Sequence, residues 1–109
     1  MLEGKQILIV DDDARNAFAL SKLLSEKGVK MYIAPNAAKG LEVLEKVPTI
    51  ALVLTDIMMP GMDGYEFMRT LREQPRYKSM PILALTAKAM KGDREKCIEA
   101  GANDYLSKP

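Results

Sequence analysis

Residues 50–64 read IALVLTDIMMPGMDG. The run from Ile50 to Thr55 is apolar on successive positions rather than on alternate ones. That is the pattern of a strand covered on both faces. Asp56 follows the run, and then a loop with Pro60, Gly61 and Gly64. Asp63 and Glu66 stand three apart, the spacing of a capping box, at the head of a helix running to about Glu73. A buried strand, an acid at its end, a short loop and a capped helix make one unit of a parallel α/β sheet.

The same unit recurs on both sides of this stretch. Gln6 to Val10 (QILIV) is a buried strand. Ala14 to Lys27 is a helix with Ala17, Phe18, Leu20, Leu23 and Leu24 mostly on one face, stopped by Gly28. Val29 to Ala34 is a second strand. Asn36 caps a helix whose Ala38, Leu41, Leu44 and Val47 recur at helical spacing, and Pro48 ends it. Downstream, Pro81 to Leu85 is a fourth strand, Asp93 to Ala100 a helix stopped by Gly101, and Tyr105 to Ser107 a short fifth strand. Strands apolar on both faces, alternating with helices, predict a parallel sheet covered on both sides with right-handed crossovers. Such sheets bind ligands beyond the carboxyl ends of their strands.

Composition narrows the chemistry. The chain has 109 residues, the size of one domain, and is 48% hydrophobic and 28% charged, values of a globular chain. Sixteen basic residues against fifteen acidic ones leave +1, which gives no support to a nucleic-acid or membrane-surface binder. No apolar run approaches the roughly 20 residues of a membrane span, and the start MLEGK is not a signal peptide, so a soluble cytoplasmic protein is the default. The single cysteine, Cys97, lies on a helix and reads as a small packed residue. There is no histidine. Histidine triads, His-ligated zinc and a phosphohistidine within the chain are therefore excluded.

What remains stands at the strand ends. Strand one runs into Asp11-Asp12-Asp13, strand three into Asp56, strand four into Thr86 and strand five into Lys108. Carboxylates gathered at one edge repel one another, and a hard divalent cation relieves that repulsion. Mg²⁺ favours one or two carboxylates with waters and a phosphate oxygen. A carboxylate can also act as nucleophile toward a phosphoryl group, whose oxygens a metal, a lysine and a hydroxyl then stabilise. Singly, each of these residues reads as an ordinary turn or cap. Their conjunction at four strand ends is what points to phosphoryl chemistry.

With these residues in view, the sequence resembles the receiver domains of two-component response regulators. The likeness is carried by VDDD (10–13), TDIMMPGMDG (55–64), ALTA (84–87) and GANDYLSKP (101–109), and it covers essentially the whole chain. It implies a flavodoxin-like doubly wound sheet of five parallel strands in the order 2-1-3-4-5. It implies phosphorylation on Asp56, with Mg²⁺ held by Asp12 directly, by Asp11 through water, by Asp56 and by the backbone carbonyl of Met58. Thr86 resembles the hydroxyl that contacts the phosphoryl group, Lys108 the lysine that pairs with it, and Tyr105 the aromatic switch that follows Thr86. Asp13 is expected to cap the first helix, with Arg15 and Asn16 beside the pocket, and Met58 and Lys88 occupy positions that influence phosphoryl lifetime. The Lys108-Pro109 bond is cis in many relatives.

The resemblance also implies a phosphodonor, a histidine kinase or a histidine phosphotransfer protein, and slow self-hydrolysis. Residues 86–101 and the LEGK start are similar to receivers of hybrid sensor kinases, and a stand-alone or multidomain regulator is an equal alternative for the parent protein. Receivers usually carry a fifth helix after the K-P pair, whereas this chain stops at Pro109. The expectation is a single domain, 1–109, with one sheet face left open, lower stability and self-association through that face. Two other readings stand beside this one. One is a pseudo-receiver that acts only as an interaction module. The other is a haloacid-dehalogenase-like phosphatase using Asp11 and Asp13, for which Arg15 is the wrong residue.

Overall fold

Every apolar run identified in the sequence becomes a strand in the computed structural model, which describes residues 4–59, 61–86 and 92–107. The strands are β1 (Gln6–Val10), β2 (Lys30–Ala34), β3 (Ile50–Asp56), β4 (Ile82–Thr86) and β5 (Asp104–Ser107). The helices between them are α1 (Ala14–Ser25), α2 (Ala37–Lys46), α3 (Gly64–Glu73) and α4 (Asp93–Ala100). A 3₁₀ turn, Pro75–Tyr77, precedes β4. The strands form one parallel sheet in the order β2-β1-β3-β4-β5. This is the flavodoxin-like order, and it puts the reversal of strand order between β1 and β3. Among the described residues no helix is long and apolar enough to cross a membrane.

Successive strand residues point to opposite faces, so each strand feeds two cores. Leu8, Val10 and Val53 pack with Leu44, Phe67, Met68, Leu71 and Cys97 from α2, α3 and α4. Ile7, Ile9, Leu54 and Leu85 pack with Ala17 of α1 and with Val29. The helix caps read from the sequence are in place. The amide of Lys39 donates to Asn36 Oδ1 and that of Glu66 to Asp63 Oδ1, each at 2.9 Å, and that of Arg15 donates to Asp13 Oδ1 at 3.0 Å.

Helix α1 departs from expectation in which side chains it buries. Ala17, Leu20 and Leu24 face the sheet, but Phe18 and Leu23 are 67% and 61% exposed. At 100° per residue they fall roughly 100° and 120° to either side of Ala17, beyond the arc that a helix lying on a sheet covers. Leu23 instead joins Ile7, Leu20, Leu24, Leu52, Leu54, Leu83, Leu85 and Leu106 around an apolar cleft of about 330 Å³.

At the edge of the sheet where β4 begins, one arginine gathers several chain segments. The Arg72 guanidinium donates to the carbonyls of Gly101 (2.9 Å), Tyr77 (2.9 Å), Lys78 (3.2 Å) and Met80 (2.7 Å) and to Asn103 Oδ1 (3.0 Å). Asn103 Oδ1 also accepts from the Ile82 amide. The end of α3, the 3₁₀ turn, the start of β4 and the α4–β5 turn thus share one hub. Gly101 sits at φ +123°, and a Cβ there would lie 2.7 Å from Arg72 Cγ, so the turn requires glycine.

Candidate functional site

Parallel strands deliver their carboxyl ends to one edge, and β1 and β3 are neighbours there. Val10 pairs with Thr55, which places the residues that follow them side by side. Asp11 is held in place from two directions. Its amide donates to the carbonyl of Ala34 at 3.0 Å, and its Oδ1 accepts the amide of Asp13 at 2.9 Å. Asp13 turns away to cap α1 and lies 3.8 Å from the exposed Arg15 guanidinium. The cap expected of Asp13 is therefore present, and Arg15 points its charge to solvent.

Asp56 is the last residue of β3, paired with Leu85 of β4 and almost fully buried. The backbone around it is tightly fixed. The Thr55 hydroxyl donates to the Asp56 carbonyl at 3.0 Å, the Ile57 amide to Leu85 at 3.2 Å, and the Gly64 amide to Ile57 at 2.9 Å. Gly64, read in the sequence only as a loop glycine, is the first residue of α3. A Cβ there would stand 2.3 Å from the Asp56 carbonyl oxygen and 2.7 Å from Ile57 Cα. The helix can begin against the acceptor strand only because this residue has no side chain. The sequence held one signal of this, a glycine placed inside the first turn just after a cap, where other residues favour the helix more.

The outcome is a cluster of three carboxylates. One oxygen from each of Asp11, Asp12 and Asp56 lies within 4.8 Å of the others, with Asp11 and Asp56 buried and Asp12 exposed. An all-oxygen, carboxylate-rich set suits a hard divalent cation. Ligand oxygens around Mg²⁺ at about 2.05 Å stand roughly 2.9 Å apart in adjacent positions and 4.1 Å apart in opposite ones. The donor set fits Mg²⁺ after small side-chain adjustments.

Of the other residues singled out in the sequence, some are described and some lie outside the described residues. Met58, two residues beyond Asp56, is 77% exposed. Thr86 ends β4 half-buried, in register with Ser107. Tyr105 is half-buried on β5, in register with Ala84, and packs against the larger core. Lys108, the Lys108-Pro109 bond and Lys88 lie outside the described residues.

Comparison with known proteins gives a consistent result. Residues 7–109 match the response regulator receiver domain. The chain is 41% identical over 109 residues to an uncharacterised 14.6 kDa protein of Leptolyngbya boryana, spanning 99% of this chain and 82% of the relative. It is 40% identical to response regulator Rre1 of Synechocystis, spanning 47% of that protein, and 36% identical to the sensor histidine kinase CheAY of Helicobacter pylori, spanning 13%. The chain thus spans less than half of the two longer relatives. Among solved structures it superposes on the chemotaxis protein CheY4 of Vibrio cholerae with a TM-score of 0.89 at 30% identity, covering 96% of this chain and 87% of that one. It superposes on the signal receiver domain of a histidine kinase from Syntrophus aciditrophicus with a TM-score of 0.85 at 32% identity, covering 97% and 80%.

Proposed function

Because this chain belongs to the receiver domain family of two-component response regulators, we propose that it is a phosphorylation switch whose acceptor is Asp56. The observation that carries this reading is the position of Asp56. It is buried at the end of a central strand, with the carboxylates of Asp11 and Asp12 gathered against it. Two buried carboxylates and an exposed one set this close repel one another, and a site that holds them together suits a metal and a phosphoryl group.

The phosphodonor is a phosphohistidine on a histidine kinase or a histidine phosphotransfer protein. An oxygen of the Asp56 carboxylate attacks phosphorus. The new O–P bond forms as the N–P bond breaks, and the electron pair returns to the imidazole nitrogen. Asp11, Asp12, Asp56 and the Met58 carbonyl would hold Mg²⁺, which when bound supplies charge neutralisation at the phosphoryl oxygens. The hydroxyl of Thr86 and the ammonium of Lys108 are assigned to the same oxygens. Tyr105 is assigned the rearrangement that follows movement of Thr86. Slow hydrolysis of the acyl phosphate resets the switch, and the reaction takes place in the cytoplasm.

Incubation with Mg²⁺ and acetyl phosphate, followed by intact mass and site mapping, tests the assignment. One phosphoryl adduct on Asp56, dependent on Mg²⁺, is expected, and Asp56→Asn should abolish it while the fold is retained. Undiminished labelling of Asp56→Asn would overturn the acceptor assignment.

A further inference from the structure

Among the described residues, the polar or charged residues that are buried are Asp11, Thr55 and Asp56. Asp11 and Asp56 belong to the carboxylate cluster. Thr55 precedes the acceptor in the chain and is fully buried. It lies in the central strand, in register with Val10 of β1 and Ala84 of β4. Both of these, and Val53 two residues earlier on the same face, belong to the larger core. Thr55 therefore faces that core. A valine has the same shape and would fill the position with no polar group to satisfy. Burying a hydroxyl is costly unless it is hydrogen-bonded. The Thr55 hydroxyl donates to the Asp56 carbonyl at 3.0 Å.

Helix α3 crowds the same carbonyl. A Cβ on Gly64 would stand 2.3 Å from the Asp56 carbonyl oxygen and 3.0 Å from its carbon. The Gly64 amide donates to the next carbonyl, that of Ile57, at 2.9 Å. On the sheet side, the Ile57 amide donates to the Leu85 carbonyl at 3.2 Å, and Asp56 itself is paired with Leu85. The peptide joining Asp56 to Ile57 is thus held at its N–H by β4 and at its oxygen by the Thr55 hydroxyl, close against Gly64. Its orientation sets the backbone angle at the Asp56 Cα, the atom next to the one that carries the carboxylate.

We propose that Thr55 is a positioning residue for phosphoryl transfer. Its hydroxyl fixes the peptide that follows the acceptor, and that peptide holds the Asp56 carboxylate against those of Asp11 and Asp12. The proposal rests on Asp56 being the phosphoacceptor. Thr55 acts through the backbone, since its side chain faces the core. Without the hydroxyl the peptide is freer to turn, and the three carboxylates meet less often in the arrangement that binds a cation and attacks phosphorus. Misplacement of reacting groups by about 1 Å costs on the order of 100-fold in rate, so a small rotation at this peptide is felt.

Two pairs of side chains isolate the hydroxyl. Wild type and Thr55→Val share a shape, and Thr55→Ser and Thr55→Ala differ by one oxygen. The whole chain in each form is measured in three ways. Titration calorimetry gives Mg²⁺ affinity. Intact mass against time, with acetyl phosphate and saturating Mg²⁺, gives the rate at which the O–P bond to Asp56 forms as acetate leaves with its electron pair. Urea unfolding gives stability. Within each pair, loss of the hydroxyl should weaken Mg²⁺ binding by about 3- to 10-fold, the net worth of one hydrogen bond, and slow adduct formation by at least as much. Thr55→Ser should keep the affinity and rate of wild type. It should nevertheless unfold at lower urea, because it leaves a cavity where the methyl was.

Equal affinities and rates within both pairs would overturn the proposal. So would affinities and rates that follow the unfolding midpoint instead of the hydroxyl, which is the outcome of a merely structural role. If Thr55→Val does not fold, the serine and alanine pair decides. A wild type that takes no phosphate on Asp56 would remove the acceptor reading and the proposal with it. A wild type labelled on Asp56, with variants unaffected, would remove the positioning role alone.

Discussion

At the scale of single residues, Asp11 and Asp12 offer the same functional group in different settings. Asp11 is buried and its Oδ1 accepts the Asp13 amide, whereas Asp12 is exposed. Both Asp11→Ala and Asp12→Ala should weaken Mg²⁺ binding by about tenfold or more, because each removes a charged oxygen from the set. Only Asp11→Ala should also lower stability, by about 1 kcal/mol, since it alone strands a turn amide. Titration calorimetry and urea unfolding separate the two effects, and a stability loss for Asp12→Ala alone would contradict the assignment. Cys97 adds a pH effect. Burial pushes its thiol pKa up, the nearby Asp93 adds to the shift, and the Tyr65 hydroxyl opposes it. A thiol that ionises later in the folded chain than in the unfolded one contributes stability that is whole below the unfolded value, about 8.5. That contribution drains away as pH rises toward the folded value. Tyr65 is shifted in the same sense, chiefly by burial, and acts at still higher pH. The unfolding midpoint should fall above about pH 8.5, and less steeply in Cys97→Ala. Equal slopes would refute the role of the thiol.

At the scale of elements, the carboxyl edge and the opposite edge of the sheet are fixed by different means. The carboxyl edge is held by strand pairing, an Asx turn and the glycine contact of α3. The opposite edge depends on Arg72, whose three guanidinium nitrogens donate to four carbonyls and one side-chain amide oxygen. Burial lowers its pKa from the ordinary guanidinium value. Arg72→Met keeps much of the apolar stem but takes this donor from the Gly101, Lys78 and Met80 carbonyls, while Asn103 Oδ1 and the Tyr77 carbonyl keep the Ile82 and Met80 amides, at about 1–3 kcal/mol for each acceptor that water cannot reach. Urea unfolding should register a loss at the upper end of single-substitution effects. Hydrogen exchange should loosen first at the 3₁₀ turn and the α4–β5 turn. A loss below about 0.5 kcal/mol would mean that solvent replaces the arginine. Nothing in the sequence marked Arg72, because an arginine near a helix end reads as a favourable partner for the helix dipole. Its acceptors lie 5 to 31 residues away.

At the scale of the whole molecule, the face bearing α1 is only partly covered. Its cleft is lined entirely by isoleucine and leucine, including the half-exposed Leu106. A solvatochromic apolar dye should bind there, and Leu106→Lys should weaken that binding several-fold with a stability change within about 0.5 kcal/mol. Unchanged dye binding would place the apolar surface elsewhere. Much of the architecture was legible in the sequence because its signals are local. QILIV and IALVLT announce strands buried on both faces, and Asp13, Asn36 and Asp63 announce helix starts through bonds spanning two or three residues. The acids at the strand ends were legible too, since a parallel sheet must bring the carboxyl ends of its strands to one edge. What the sequence could not decide was which side chains meet across elements. Phe18 and Leu23 look like core residues by type, and the width of the helix-sheet contact left them outside it. Gly64 looks like a loop residue, and the approach of α3 to β3 made it indispensable. Tyr65 and Cys97 are 32 positions apart and carry no joint signal. Their meeting follows from the packing of α3 beside α4 on one sheet face, a relation fixed by strand order, and strand order is a property of the folded chain as a whole.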